Sequence, residues 1–228
     1  MSAPASPQEQ HAPERVVVRP LRRDDLDWTG PLQQEALPHG FFTRLGPRFL
    51  RAYQETFLDS PHGIALAAEQ DGEPLGFLFG AVDVDAHRAW VVRARRSRLA
   101  ALGALCLLQR PPEAASFLRT RLGRYLRTLA RGGRRRQRGN ADDPALPLAA
   151  AVLTHVAVRQ DRRRSGAGRR LVDAFVEEAT SRGAGRARLT TLRDDRGAEE
   201  FWRNLGWVPG KALADDEDRV HRVLERKL

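Results

Sequence analysis

The sequence predicts an α/β fold, on three observations. Runs rich in β-formers alternate with helical stretches along most of the chain, and an Asp-Gly pair joins two of those runs as a hairpin. One strongly apolar run also passes through a glycine-containing loop directly into a helix.

Residues 15–19 (RVVVR) read as a first strand, and Asp24 and Asp25 are placed to cap a helix from 26 to about 37. Leu45, Phe49, Leu50, Tyr53 and Phe57 recur at steps of three and four, which predicts an amphipathic helix over about 47–58, ended by Pro61 and Gly63. Residues 64–69 and 74–84 are two β runs joined by Gln70-Asp71-Gly72-Glu73, where Asp-Gly supplies the positive φ of a tight hairpin turn. An Arg-rich block at 85–148 follows, with helices expected over about 88–109 and 113–130 on either side of Pro111-Pro112 and a Gly/Arg linker at its end. Residues 150–158 have the composition of a buried strand, and a helix over about 168–181 ends at Gly183. A strand at 186–192, a helix near 197–205, a turn at Gly206 and a terminal strand at 219–225 complete the reading.

A chain of 228 residues with 41% apolar and 30% charged residues suits one globular domain, here 15–228 with 85–148 as an insertion. Residues 1–14 are rich in Pro, Ala and Gln, lack the basic start and apolar run of a signal peptide, and are expected to form a disordered tail. The single cysteine, Cys106, allows no intramolecular disulfide and points to the cytoplasm. It sits inside an apolar run and reads as a small buried residue. That run, 99–108, has ten residues, against about 20 needed to span a bilayer. The six histidines have no paired spacing or cysteine partner, so no metal site is expected.

The chain carries a net charge of +10, yet residues 86–140 alone hold fifteen arginines and one acid, Glu113. With only two lysines in the chain, an Arg-rich coding bias accounts for the residue type but not for the clustering. In the second expected insertion helix Leu118, Leu122, Tyr125, Leu126 and Leu129 share one face and arginines fill much of the rest. The plain reading is a lid or side wall packed by its leucines. Two sharper ones are an anionic membrane surface and nucleic acid, the latter disfavoured by how few aromatics the segment offers for stacking.

The most informative stretch runs from Thr154 and His155 through Val156, Ala157 and Val158 into Arg163, Arg164, Ser165, Gly166, Ala167, Gly168 and Arg169. Glycines after a strand let backbone N–H groups turn inward, and the helix that begins there adds its dipole, so strand, loop and helix make an anion cradle. A Walker loop is excluded because no lysine lies near, and a G-x-G-x-x-G loop because position 171 is Leu.

Arg163, Gly166 and Gly168 fit the R-x-x-G-x-G pattern of the GNAT superfamily of N-acyltransferases. Downstream, Ala198, Phe201, Trp202, Gly206 and Trp207 resemble that family's A-x-x-F-Y-x-x-x-G-F segment. The resemblance covers 15–84 and 150–228, not the insertion. It implies a GNAT-like mixed, mostly antiparallel central sheet with flanking helices, the Arg-rich helical insertion lying between its third and fourth strands. It further implies fourth and fifth strands that splay apart around pantetheine. Backbone N–H groups of Val156, Ala157 and Val158 would contact the acetyl-CoA cosubstrate, and Arg163, Arg164, Ser165, Gly166, Ala167, Gly168 and Arg169 would grip its diphosphate. Asp195 is a candidate for the pantetheine side or for a helix cap.

The family's usual acid is the tyrosine of the F-Y pair, where this chain has Trp202, whose indole N–H is no acid near neutral pH. Trp202 is kept as a cofactor-contact candidate, and Tyr125 is a remote candidate acid. His155 is a candidate base, since imidazole titrates near neutrality, against the alternative of a histidine satisfied within the sheet or facing helices. Asp83 and Asp85, at the end of the third strand, are candidates to attract a cationic amine or simple turn formers.

The expected activity is transfer of an acetyl or longer acyl group to an amine of a small molecule or peptide by direct attack in a ternary complex. The competing expectation is a non-catalytic acyl-CoA-binding module whose basic segment meets an anionic surface. The expected localisation is cytoplasmic, with a membrane-peripheral variant. Acceptor identity, acyl length and oligomeric state are not legible.

Overall fold

The structure is a computed structural model that describes residues 15–38, 40–109, 150–192, 196–214 and 220–228. Seven strands form one sheet in the order β1-β2-β3-β4-β5-β7-β6. They are β1 Val17–Pro20, β2 Gly63–Gln70, β3 Glu73–Ala81, β4 Ala150–Val158, β5 Arg186–Leu192, β6 Val208–Ala214 and β7 Val220–Lys227. Among the described residues every pairing is antiparallel except β4 with β5. The helices are α1 Leu26–Ala36, α2 Phe41–Arg44, α3 Pro47–Asp59, α4 Val84–Leu108, α5 Ala167–Ser181 and α6 Arg196–Asn204. The mixed, mostly antiparallel sheet with a helical excursion between its third and fourth strands is thus the architecture observed.

The β2–β3 hairpin closes as read. Asp71 (φ 52°) and Gly72 (φ 81°) are both left-handed, the twist-matching pair of a two-residue turn. On one face of the sheet α3 presents Phe57 to an aromatic layer in which Phe57 and Phe79 lie 5.4 Å apart, and buries Leu50 fully. Buried amides tie α1 to α3: the Thr29 hydroxyl donates to Gln54 Oε1 and Gln54 Nε2 donates to Gln33 Oε1, each at 2.9 Å. On the other face α5 buries Leu171, Val172 and Phe175, and Trp202 and Trp207 extend that core.

Four sequence expectations change. Asp25 makes no side-chain cap to α1. Its carboxylate instead accepts from Arg22 N–H (2.6 Å), the Arg19 guanidinium (2.7 Å) and Trp28 Nε1 (3.1 Å). Burial alone would raise that carboxyl, but these donors outweigh it and hold it at about 2. Val84 opens α4 rather than closing β3, because Asp83 Oδ1 accepts the N–H groups of Asp85 (3.0 Å) and Ala86 (2.9 Å) and starts the helix there. Asp83 is therefore a cap, and Asp85 sits 3.7 Å from Arg88. Strand β6 and the single turn α2 were not anticipated. The helix expected at 113–130, with Tyr125, lies outside the described residues, as do the expected tail and linker.

Helix α4 lies along α3. Its Cys106 is buried with Leu45 and Phe49, and Leu99 and Leu102 pack beside them. Two of its arginines are spent on α3: Arg95 donates to Asp59 at 2.8 Å and Arg98 to Glu55 at 2.6 Å. Among the described residues no helix is long and apolar enough to cross a membrane.

Candidate functional site

Strand β4 has two unlike halves. Ala150 to Leu153 pair with Arg186 to Leu189 of β5, while Val152 and Leu153 also face Ala81 and Gly80 of β3. Beyond Leu153 the pairing with β5 stops. β5 continues against β7 to Leu192, and β4 continues against β3 to Val158, so a gap opens between them. The register shift between Phe79 and Gly80 leaves Thr154 unopposed, and its hydroxyl donates to Phe79 O at 2.7 Å. This is a β-bulge, a device that bends and twists a strand, at the position where β4 leaves β5.

Ladder alternation then fixes which amides face the gap. Arg159 N–H donates to Leu75 O at 2.8 Å, so every second residue back along β4, Ala157 opposite Phe77 and His155 opposite Phe79, points its N–H and C=O at β3. Val156 and Val158 point theirs the other way, into the gap. Ala157 stands apart from its two neighbours: its amide belongs to the ladder and its side chain to the core under α1 and α3.

The gap leads into the loop. After a 3-10 turn at Gln160–Arg162, Arg164 (φ 64°) and Gly166 (φ 86°) adopt left-handed conformations before α5 begins at Ala167. A β-carbon at 166 would meet nothing within 4 Å, so glycine is required there by backbone conformation rather than by space. Among the described residues the N–H groups of Arg164, Ser165, Gly166, Gly168 and Arg169 make no hydrogen bond within the protein, whereas Ala167 N–H donates to the Ser165 hydroxyl at 3.3 Å. Several amides clustered at a helix start form a concavity suited to an anion. Arg163, Arg164 and Arg170 are exposed without an acidic partner among the described residues, while Arg169 is 3.7 Å from Asp173 and Arg162 is 3.8 Å from Asp161. Cationic groups and unused amides fit a diphosphate.

Gly168 closes the corner between strand and helices. A β-carbon there would lie 3.5 Å from Phe201 and 3.6 Å from Val158, so any longer side chain would wedge between them. Phe201, not the neighbouring tryptophan, forms this wall. Trp202 is buried in the core, edge-on to Trp207 at 5.6 Å. Asp195 and Tyr125 lie outside the described residues.

His155 is on the α1/α3 face, edge-on to Tyr53 of α3 at 5.7 Å. The residue is half-buried, but its Nδ1 is enclosed without any hydrogen-bond partner, and burial lowers its pKa to about 4. Near the end of α1, Glu35 shares an open depression with Arg159, Gln160 and Asp161 of the loop. Among the described residues no group of three or more His, Cys, Asp or Glu side chains is placed to hold a metal ion.

Sequence reasoning singled out the loop and named Phe201, Thr154 and Tyr53, but assigned no place at the site to any of these three. The polar Thr154 within an apolar strand was the available signal for the bulge.

Residues 136–207 match the model of the acetyltransferase (GNAT) family, a span that includes β4, the loop, α5, β5 and α6. No curated protein matches the sequence. Among solved structures the chain is similar to the ribosomal-protein-S18-alanine N-acetyltransferase from Escherichia coli, at 13% identity and TM-score 0.55 over 93% of this chain and 94% of that one. It is likewise similar to the ribosomal-protein-alanine N-acetyltransferase from Brucella melitensis, at 12% identity and TM-score 0.56 over 93% and 99%. An aminoglycoside 6'-N-acetyltransferase complexed with coenzyme A matches at 15% identity and TM-score 0.52 over 92% and 96%. At these identities the likeness is one of fold. The GNAT resemblance read from the glycine loop and the Phe-Trp segment is supported.

Proposed function

We propose that this chain is an N-acyltransferase that moves an acetyl group from acetyl-CoA to an amine of a small molecule or peptide. The observation that carries the reading is the coincidence of three features at one end of β4: a gap, two amides facing it, and an anion cradle directly beyond. The diphosphate would rest on the N–H groups of Arg164, Ser165, Gly166, Gly168 and Arg169, with the guanidinium groups of Arg163 and Arg164 beside it. Ala167 serves by starting the helix. Pantetheine would pair with Val156 and Val158, against the wall of Gly168 and Phe201. Residues 15–228 would act as one unit with 85–148 as its insertion.

The reaction needs little from side chains. The amine lone pair attacks the acyl carbon, the carbonyl π pair moves to oxygen, and collapse breaks the C–S bond with its pair leaving on sulfur. The proton released from nitrogen passes to the thiolate or to solvent, consistent with a buried Trp202 in place of an acid. Trp202 would then support the wall through Phe201, 4.9 Å away, rather than touch the cosubstrate. The second reading, an acyl-CoA-binding module without turnover, draws on that same replacement. A cytoplasmic site of action suits the lone cysteine. The exposed residues of α4, among them Arg88, Arg93, Arg96, Leu105 and Leu108, would suit an anionic membrane surface better than nucleic acid.

Calorimetry with coenzyme A and thiol release with a panel of amines test the proposal together. Binding with amine-dependent thiol release supports the enzyme, binding without it supports the module, and no binding refutes both.

A further inference from the structure

Resting on the acyl-transfer reading, we propose that His155 contributes a neutral hydrogen bond, donated from Nε2 to the acyl oxygen as it gains negative charge, and is not the base that removes the amine's proton. The placement comes from β4. His155 immediately follows the bulged Thr154 and precedes Val156, whose amide faces the gap, so its ring borders the stretch where the strand has parted from β5.

The two ring nitrogens then divide. Nδ1 is enclosed with no partner while the residue as a whole is half-buried, so the ring reaches the surface on its Nε2 side. A base at Nε2 needs its proton on Nδ1, where a donor would be buried without an acceptor, the costlier way to leave a polar atom unpaired. It must also hold a second proton after the attack. Histidine bases often manage this with a carboxylate or carbonyl on the far nitrogen, and here, among the described residues, the ring neighbours are Tyr53 from α3 and, across the ladder, Phe79 of β3. Neither side chain is a carboxylate. Burial is the cause of the lowered pKa. The opposite tautomer buries only a lone pair at Nδ1 and presents an N–H at Nε2. Such a neutral imidazole can stabilise a developing oxyanion without proton transfer. The amine must then arrive already neutral.

Two measurements test this. In the 15N imidazole spectrum of the whole protein, His155 should show the Nε2–H tautomer and stay neutral from pH 7 down to 5. A proton on Nδ1, or a midpoint above about 6, the range of an ordinary histidine, overturns the proposal. In thiol-release kinetics His155→Leu should lower kcat about 100-fold, as loss of an oxyanion donor does. His155→Gln, which keeps an N–H donor, should lose less than about tenfold and retain the wild-type acid limb of the pH profile. If His155→Gln is as impaired as His155→Leu and loses that limb, His155 is the base and the proposal fails. The spectrum needs no turnover, so a Nδ1–H result defeats this inference alone, whereas absence of coenzyme A binding defeats the acyl-transfer reading beneath it.

Discussion

The first half of β4 is held by neighbours on both sides and the second half by one. Ala151 and Leu153 are buried, their strand locked between β3 and β5, and nothing in them is left over for a ligand. Farther along the same strand Val156 and Val158 remain part of β4 but aim their amides at open space. The single inserted residue, Thr154, separates the two regimes. Side-chain chemistry therefore matters least where binding is expected to be strongest, and a strand that reads uniformly as core changes role along its length.

Substitutions in the two halves should separate stability from binding. The largest effect is expected in the locked half, where Leu153→Ala removes a buried side chain at a cost of about 2–5 kcal/mol. Urea denaturation measures that cost, and the fraction that remains folded should bind coenzyme A as tightly as wild type. In the open half the pattern should invert. Gly168→Trp drives a ring between Val158 and Phe201 and should weaken coenzyme A binding by calorimetry about 100-fold, roughly 2.7 kcal/mol, with the denaturation midpoint little changed.

The pH dependence brings in a second buried histidine, His87, in the first turn of α4. His87 is buried and stacked on Phe57 at 4.7 Å, and burial, aided by His62 and Arg88, lowers its pKa to about 4. A histidine whose folded pKa lies below its unfolded value of about 6.5 contributes stability that is complete above 6.5 and is lost as pH falls toward 4. We expect His87 to account for on the order of 1–3 kcal/mol of acid destabilisation in that window. His87→Leu should reduce the slope of stability against pH between 6.5 and 4, leaving the share of His155, whose pKa burial also lowers to about 4. Asp25, held at about 2, would enter only at lower pH. The smallest effect belongs to Gly166→Ala: a side chain in the left-handed region costs about 1 kcal/mol, and calorimetry should show affinity reduced by about fivefold.

Much of this was legible before folding, because local chemistry specifies it. Asp71-Gly72 dictates its turn, and the glycines after an apolar strand dictate a cradle. What escaped depended on register or on partners distant in sequence. That Ala157 faces the ladder while Val156 and Val158 do not follows from Arg159 bonding to Leu75, a pairing no local pattern contains. Phe201 and Trp202 are adjacent in sequence but about 100° apart on a helix, so which one walls the gap depended on how α6 docks. Strand β6 was hidden by Pro209 and Gly210, which argue against a strand except at an edge, where β6 lies with a register shift between Pro209 and Ala212. The insertion's charge was visible, but not that Arg95 and Arg98 are consumed by Asp59 and Glu55 of α3.

The most direct test is a backbone amide 15N–1H spectrum recorded through a titration with coenzyme A. The largest shifts should fall on Val156, Val158 and the amides of 164–169, with Ala151, Leu153 and Ala157 moving far less. Saturable shifts centred elsewhere, or no shifts at millimolar coenzyme A, would contradict the proposal that the open half of β4 and its glycine loop hold the cosubstrate.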